Sequence, residues 1–184
     1  MFISLLSVLA SIHMGPASLR LPSINSPAVL CWPAKPHSVN VYIFITHDCP
    51  IANHYSAEIG RIEATYASKK IHFYEVYSEA DLKLTQAKKH HHDFRLKGSG
   101  LLDAKGRLAR ILKAHISPEV VVLSGPSTKL YQGRIDNTYA AVGLRRAKPT
   151  THELRDVLEA ISHSQEVTTK PAPDLGCTLI LPEH

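Results

Sequence analysis

A strand-like run at residues 39–45, Val-Asn-Val-Tyr-Ile-Phe-Ile, leads into Thr46-His47-Asp48-Cys49-Pro50. A helix-like run follows at once, with Ile51, Tyr55, Ile59, Ile62 and Tyr66 at helical spacing. This junction restricts the fold more than any other stretch of the chain. Proline suits the first helical position, where its missing N–H has no partner to lose. Cys49 therefore falls at the helix N-terminus, facing free backbone N–H groups and the positive end of the helix dipole. A thiolate is stabilised there, and the thiolate is the reactive form of cysteine. The plainer alternative is a small buried hydrophobe at the end of a strand.

The rest of the chain supplies partners for that junction. Ile71-His72-Phe73-Tyr74-Glu75-Val76-Tyr77 predicts a second strand, rich in β-branched and aromatic residues. Residues 81–95 predict a helix begun by Asp81, with His90-His91-His92 on its solvated surface. Three consecutive helical positions cannot all face one metal ion. Gly98-Ser99-Gly100 predicts a turn, and a short helix follows through Leu108, Ile111 and Leu112. Pro118 opens a strand over 119–123, a turn follows at 125–127, and residues 129–135 return antiparallel. Thr150-Thr151-His152-Glu153 has capping-box spacing ahead of a last helix carrying Leu154, Val157, Leu158 and Ile161. The order β-α-β-α-(α)-β-β-α predicts an α/β domain, with a central mixed β-sheet flanked by helices on both faces.

The chain has 184 residues, enough for one domain with a sizeable core. Its net charge of +5 comes without a long Lys/Arg block or a nucleic-acid motif, so a solvated basic surface is expected and a nucleic-acid partner is not. Three cysteines allow at most one pair. Residues 1–17 predict a signal peptide, whose apolar core is too short for a membrane span, and hence a secreted or periplasmic protein. Residues 18–38 are proline-dotted and irregular, with a short edge strand at 28–32 in which Cys31 is read as a packing residue. The domain proper covers 39–163. Residues 164–184 form a polar tail ending in an apolar run, Leu179-Ile180-Leu181, which is expected to dock on the domain.

The strand order, a cysteine ending the first central strand and a proline opening the hairpin strand resemble the thioredoxin-like fold. Within it the chain is similar to the redoxin family, relatives of alkyl hydroperoxide reductase and thiol-specific antioxidant proteins, and within those a secreted bacterial subgroup. The pieces that carry the likeness are Asp48-Cys49-Pro50-Ile51-Ala52-Asn53, Gly133-Arg134-Ile135-Asp136, Pro149-Thr150 and Gly176-Cys177. The resemblance implies a cis Ser117–Pro118 peptide, with Pro118 beside Cys49. The departures matter equally. Ala52 stands where a dithiol oxidoreductase would carry its second cysteine, and Asn53 where a copper chaperone would. Thr46 matches the hydroxyl residue three places before a peroxiredoxin cysteine, but Tyr42 replaces a proline of that pattern.

The expected function is a thiol-based oxidoreductase, peroxidase-like, acting on a small peroxide or a protein disulfide or thiol, with an electron donor the sequence does not identify. Cys49 would be its redox-active thiolate, Thr46 would hold thiolate or peroxide, and Cys177 would resolve the sulfenic acid as a disulfide. No cofactor and no resident metal are assigned. The alternatives are a soft-metal site, with copper(I) held by Cys49, Cys177 and His47 or His54, and a binding module that kept the fold and lost the chemistry. Arg134, Asp136, Arg145 and Arg146 flank an excursion before the last helix and are read as charge pairs fixing a loop.

Overall fold

The protein is described by a computed structural model covering residues 19–27, 29–33, 36–68, 70–168 and 175–183. The expected signal peptide at 1–17 lies outside the described residues. The chain opens with β1 (Leu19–Pro22) and β2 (Val29–Trp32), then β3 (Val39–Ile45), α1 (Pro50–Tyr66), β4 (Ile71–Tyr77), α2 (Leu84–Asp93), β5 (Ser99–Leu102) and α3 (Arg107–Leu112). It continues with β6 (Ile116–Ser117), β7 (Glu119–Ser124), β8 (Thr128–Gly133), β9 (Tyr139–Ala141), β10 (Leu144–Arg145), α4 (Glu153–Ser162) and β11 (Cys177–Thr178). Five strands form the central sheet in the order β5-β4-β3-β7-β8. β3 runs parallel to β4 and antiparallel to β7, so the sheet is mixed, as expected.

Alternation along β3 divides the core. Val41, Ile43 and Ile45 join Cys49, Ile59 and Ile62 of α1 and Leu154 and Leu158 of α4 in one cluster. Tyr42 and Phe44 point to the other face, with Leu108 and Leu112 of α3, Trp32 and Leu179. Tyr42, which replaces the peroxiredoxin-pattern proline, is thus on the face opposite Cys49, stacked on Tyr74 at 5.2 Å between ring centroids. The short strand expected at 28–32 is β2, and Leu19–Pro22, expected to be irregular, pairs with it as β1, so that both strands cover this second face.

Several local expectations gave way to tertiary contacts. The turn expected at 98–100 is edge strand β5, parallel to β4. Gly100 serves close approach there, because a Cβ would sit 2.4 Å from the side chain of Ile24. α2 begins at Leu84, not Asp81, since Gln86 reaches back to accept from the Lys83 N–H at 3.0 Å. The last helix begins at Glu153 with no side-chain cap. Thr150 is drawn to Asn137 instead, accepting from its side-chain amide at 2.7 Å, and Glu153 pairs with Arg134 at 2.9 Å.

The histidine run departs most from expectation. Only His92 is exposed, while His90 and His91 are buried. His90 joins the Tyr77 hydroxyl at 2.8 Å to the Asn53 side chain at 2.7 Å. His91 meets Glu75 at 3.3 Å beneath α2. Glu75 accepts from Gly98 N–H at 3.1 Å, and Glu63 accepts from Lys97 N–H at 3.1 Å. A Cβ on Gly98 would lie 2.7 Å from Glu75 and 2.9 Å from Glu63, so both carboxyl groups crowd one glycine. Burial raises both, and Glu63 is pushed up to about 10 with a further contribution from the proton it shares with Glu75. Burial, reinforced by nearby His47 and His91, lowers His90 to about 4.

These shifts act on stability in opposite senses. Glu63 is raised when folded, so its contribution is complete below its ordinary value of 4.5 and is lost as pH climbs toward about 10. His90 is lowered when folded, so its contribution is present above 6.5 and lost as pH falls through about 4. Urea-unfolding midpoints of the parent should therefore drop on both sides of a maximum at weakly acid to neutral pH. Glu63→Gln should flatten the alkaline limb and leave the acid limb in place.

Candidate functional site

Cys49 is the N-cap residue of α1, with extended backbone and Pro50 in the first turn. Its sulfur accepts from the Ala52 N–H at 3.4 Å, which satisfies one of the free donors of the helix end. Ser117 approaches from the other side. Its hydroxyl accepts from the Thr46 N–H at 2.8 Å, and its carbonyl oxygen lies 3.1 Å from the Cys49 sulfur. The Ser117–Pro118 peptide is cis, as the resemblance implied, so the peptide group preceding Pro118 lies against Cys49.

The tail completes the site. β11 pairs antiparallel with β6, aligning Cys177 with Ser117 and Thr178 with Ile116, and the Leu179 N–H donates to His115 carbonyl at 2.9 Å. Cys49 and Cys177 form a disulfide across 128 residues of sequence, with Cα atoms 6.0 Å apart. Gly176 is required for this approach, since a Cβ there would lie 2.4 Å from the Ser117 carbonyl oxygen. Leu179 is buried in the second core cluster, and Leu181 packs against it. Burying a leucine is worth roughly 1.5–3 kcal/mol, so the tail is held by packing as well as by the covalent bond.

A groove of about 500 Å³ opens beside the two sulfurs. Asp48, Glu79 and Asp81 line it together with Thr46, His47 and Leu82, and among the described residues no lysine or arginine does. His47 Nδ1 sits 2.5 Å from Glu79, which also accepts from the His47 N–H at 3.1 Å. His47, Asp48 and Glu79 place three donor atoms within 4.8 Å of one another, a set with more oxygen than a soft ion prefers. His54, the other histidine considered for copper, meets Tyr139 edge to face at 5.7 Å between ring centroids and accepts from Arg145 at 3.1 Å. Arg145 and burial lower its proton affinity, burial contributing more.

Of the residues singled out from sequence, Cys49, Cys177, Thr46 and the peptide before Pro118 converge on one spot. The Thr46 hydroxyl points to Ser117 Oγ at 3.5 Å, so it reaches Cys49 through Ser117. Asp136 takes a hydrogen bond from the Tyr55 hydroxyl at 2.7 Å, and Arg146 binds the Asn137 carbonyl, so these charges fix the loop after β8. Sequence reasoning missed Ser117 and Glu79. Glu79 was within reach of a register argument, because Ile45 aligns with Tyr77 across the parallel strands and places His47 beside residue 79.

No family model matches the chain, and no curated protein does either. Solved structures do. An uncharacterised conserved protein from Geobacillus kaustophilus overlays with a TM-score of 0.77 at 21% identity, covering 88% of this chain and 87% of that one. A hypothetical protein from Sinorhizobium meliloti 1021 overlays equally, at 18% identity over 95% and 98% of the two chains. A secreted Mycobacterium tuberculosis disulfide oxidoreductase homologous to E. coli DsbE gives a TM-score of 0.57 at 15% identity, covering 77% and 95%. The fold is thioredoxin-like. At these identities the likeness concerns architecture, and no described helix is long and apolar enough to cross a membrane.

The Cys49–Cys177 bond closes a loop of 128 residues, for which the chain-entropy argument allows on the order of 5 kcal/mol and measured bridges give about 2–4 kcal/mol. Cys177→Ser should lower unfolding free energy by about 2–4 kcal/mol in urea titrations under non-reducing conditions. Mapping of the unreduced parent should recover Cys49 and Cys177 in one bridged peptide pair.

Proposed function

We propose that this protein is a thiol-based oxidoreductase that works by making and breaking the Cys49–Cys177 bond. The observation that carries the reading is a disulfide set at a helix N-terminus and bordering an open groove. In the reduced state the Ala52 N–H and the dipole of α1 stabilise a Cys49 thiolate. That thiolate attacks an oxidised substrate, and Cys177, delivered by β11, resolves the product. Leu179 keeps the resolving thiol close after the bond opens. Ser117 and Thr46 are positioning residues, holding the peptide before Pro118 against the sulfur. The secreted oxidoreductase of similar fold supports an extracytoplasmic setting, where such a bond persists.

The oxidant best supported is a protein disulfide. The Cys49 thiolate attacks one sulfur of the substrate and expels the other as a thiolate. The Cys177 thiolate then attacks the Cys49 sulfur of the mixed disulfide and expels the second substrate thiolate. The groove favours this over peroxide, since its carboxylates supply no cation to stabilise an alkoxide leaving group.

Peroxide is the second reading, favoured by Thr46 and by the absence of a second cysteine in the first turn of α1. There the thiolate attacks the terminal peroxide oxygen, the O–O bond breaks, and an alcohol or water leaves after protonation. Cys177 then converts the Cys49 sulfenic acid to the disulfide with loss of water. A soft ion held by the two reduced sulfurs and His47 is a third use of the same groove. It requires His47 to leave Glu79.

Reduced protein should be offered oxidised glutathione, a protein disulfide and cumene hydroperoxide in parallel, with formation of the Cys49–Cys177 bond as the readout. Cys49→Ser should abolish every reaction. Thr46→Val should slow the peroxide reaction alone, by about tenfold if it holds the peroxide. If the parent forms the bond with none of the oxidants faster than a free dithiol does, the redox reading fails. Copper retained through dialysis would then favour the soft-metal use.

A further inference from the structure

The two sulfurs of the bond are unequal targets. A thiolate attacks a disulfide in line, entering one sulfur from the side opposite the sulfur that leaves. Cys49 is 1% exposed and belongs to the inner core cluster. Ser117 carbonyl and the Ala52 N–H crowd its sulfur while the tail is docked, so in the oxidised protein entry there requires the Ser117 segment and the tail to shift, as they do when reduced Cys49 takes up substrate. Cys177 is half-buried and borders the groove. The better leaving group is also Cys49, because its departing thiolate lands on the Ala52 N–H at the positive end of α1.

The groove that leads to Cys177 carries a charge opposite to the chain as a whole. Asp48, Glu79 and Asp81 line it, and a protonated His47 would still leave a net charge of two negatives. The chain overall is +5. We propose that the reductant of this disulfide is a thiol flanked by positive charge, and that it attacks Cys177 rather than Cys49. The inference rests on the redox reading above and specifies its reducing half. The reductant thiolate bonds to Cys177 Sγ, the S–S bond breaks, and Cys49 leaves as a thiolate. A second thiolate of the reductant then attacks the reductant sulfur of the mixed disulfide and expels the Cys177 thiolate. The reductant ends as its own disulfide, and the protein holds both electrons as two thiolates, which take up protons according to pH.

Folded, oxidised full-length chain should be treated with cysteamine, 2-mercaptoethanol and 3-mercaptopropionate, which carry one positive, no and one negative charge beside the thiol. Rates are compared per thiolate, and early samples are trapped with N-ethylmaleimide and mapped. The adduct should lie on the Cys177 peptide, with N-ethylmaleimide on Cys49. Cysteamine should react roughly five- to tenfold faster than 2-mercaptoethanol at low salt, with the anionic thiol slowest and the spread collapsing at about 1 M salt. Asp48→Asn with Asp81→Asn, both exposed positions, should narrow the spread without moving the adduct. An adduct on Cys49 with Cys177 free would overturn the site of attack, and equal rates for the three thiols would overturn the cationic partner. Either result leaves the redox reading intact. Failure of every thiol to open the bond in the folded protein, with full reaction after unfolding, would overturn both.

Discussion

Ser117 holds the site together, and each of its polar groups does a different task. Its hydroxyl receives the Thr46 N–H, which ties the end of β3 to the strand opposite. Its carbonyl oxygen touches the Cys49 sulfur, and its backbone pairs with Cys177. Four separate stretches of chain meet at this residue: the end of β3, the start of α1, the entry to β7 and the tail. The Cys49–Cys177 bond is a consequence of that meeting. β11 is placed by the β6 pairing and by Leu179 in the core, and the sulfurs then fall within bonding reach.

Around this node the protein buries more polar groups than its sequence pattern suggests. His90 links Tyr77 to Asn53, and the Asn53 amide in turn donates to the His47 carbonyl at 3.2 Å. The helix α2 is thereby tied to the same segment that carries Cys49. Further back, Glu63, Glu75 and His91 share a pocket whose closeness depends on Gly98 lacking a side chain. Such groups are tolerated only when partnered or neutral, and burial raises both carboxyls, which favours their uncharged form. The same low-dielectric setting makes them sensitive to pH, so the interior that steadies the site also limits its working range.

Charge is distributed unevenly about the sulfurs. The basic excess of the chain lies elsewhere, and the groove beside the disulfide is acidic. A field of one sign beside a reactive bond selects among partners chiefly through their rate of approach. The described lining offers carboxylates and no lysine or arginine, unlike a site built to stabilise a departing oxyanion.

The sequence by itself determined the strand-cysteine-proline-helix junction, the mixed sheet and the docking of the tail through its apolar end, whereas the cis Ser117–Pro118 peptide was implied only by the family resemblance. The first three are set by local rules: proline at the first helical position, alternation in β3, and an apolar run that cannot remain in water. Local rules could not place β5 or the start of α4, because Gly100 answers to Ile24 and Thr150 to Asn137, partners distant in sequence. They also put His90 and His91 in solvent, since the polar partners that pay for their burial come from β4 and α1. The role of Ser117 and the acidity of the groove belong to tertiary structure alone. Both arise where β3, β4, β6 and β11 end side by side, and neither leaves a pattern in any one segment.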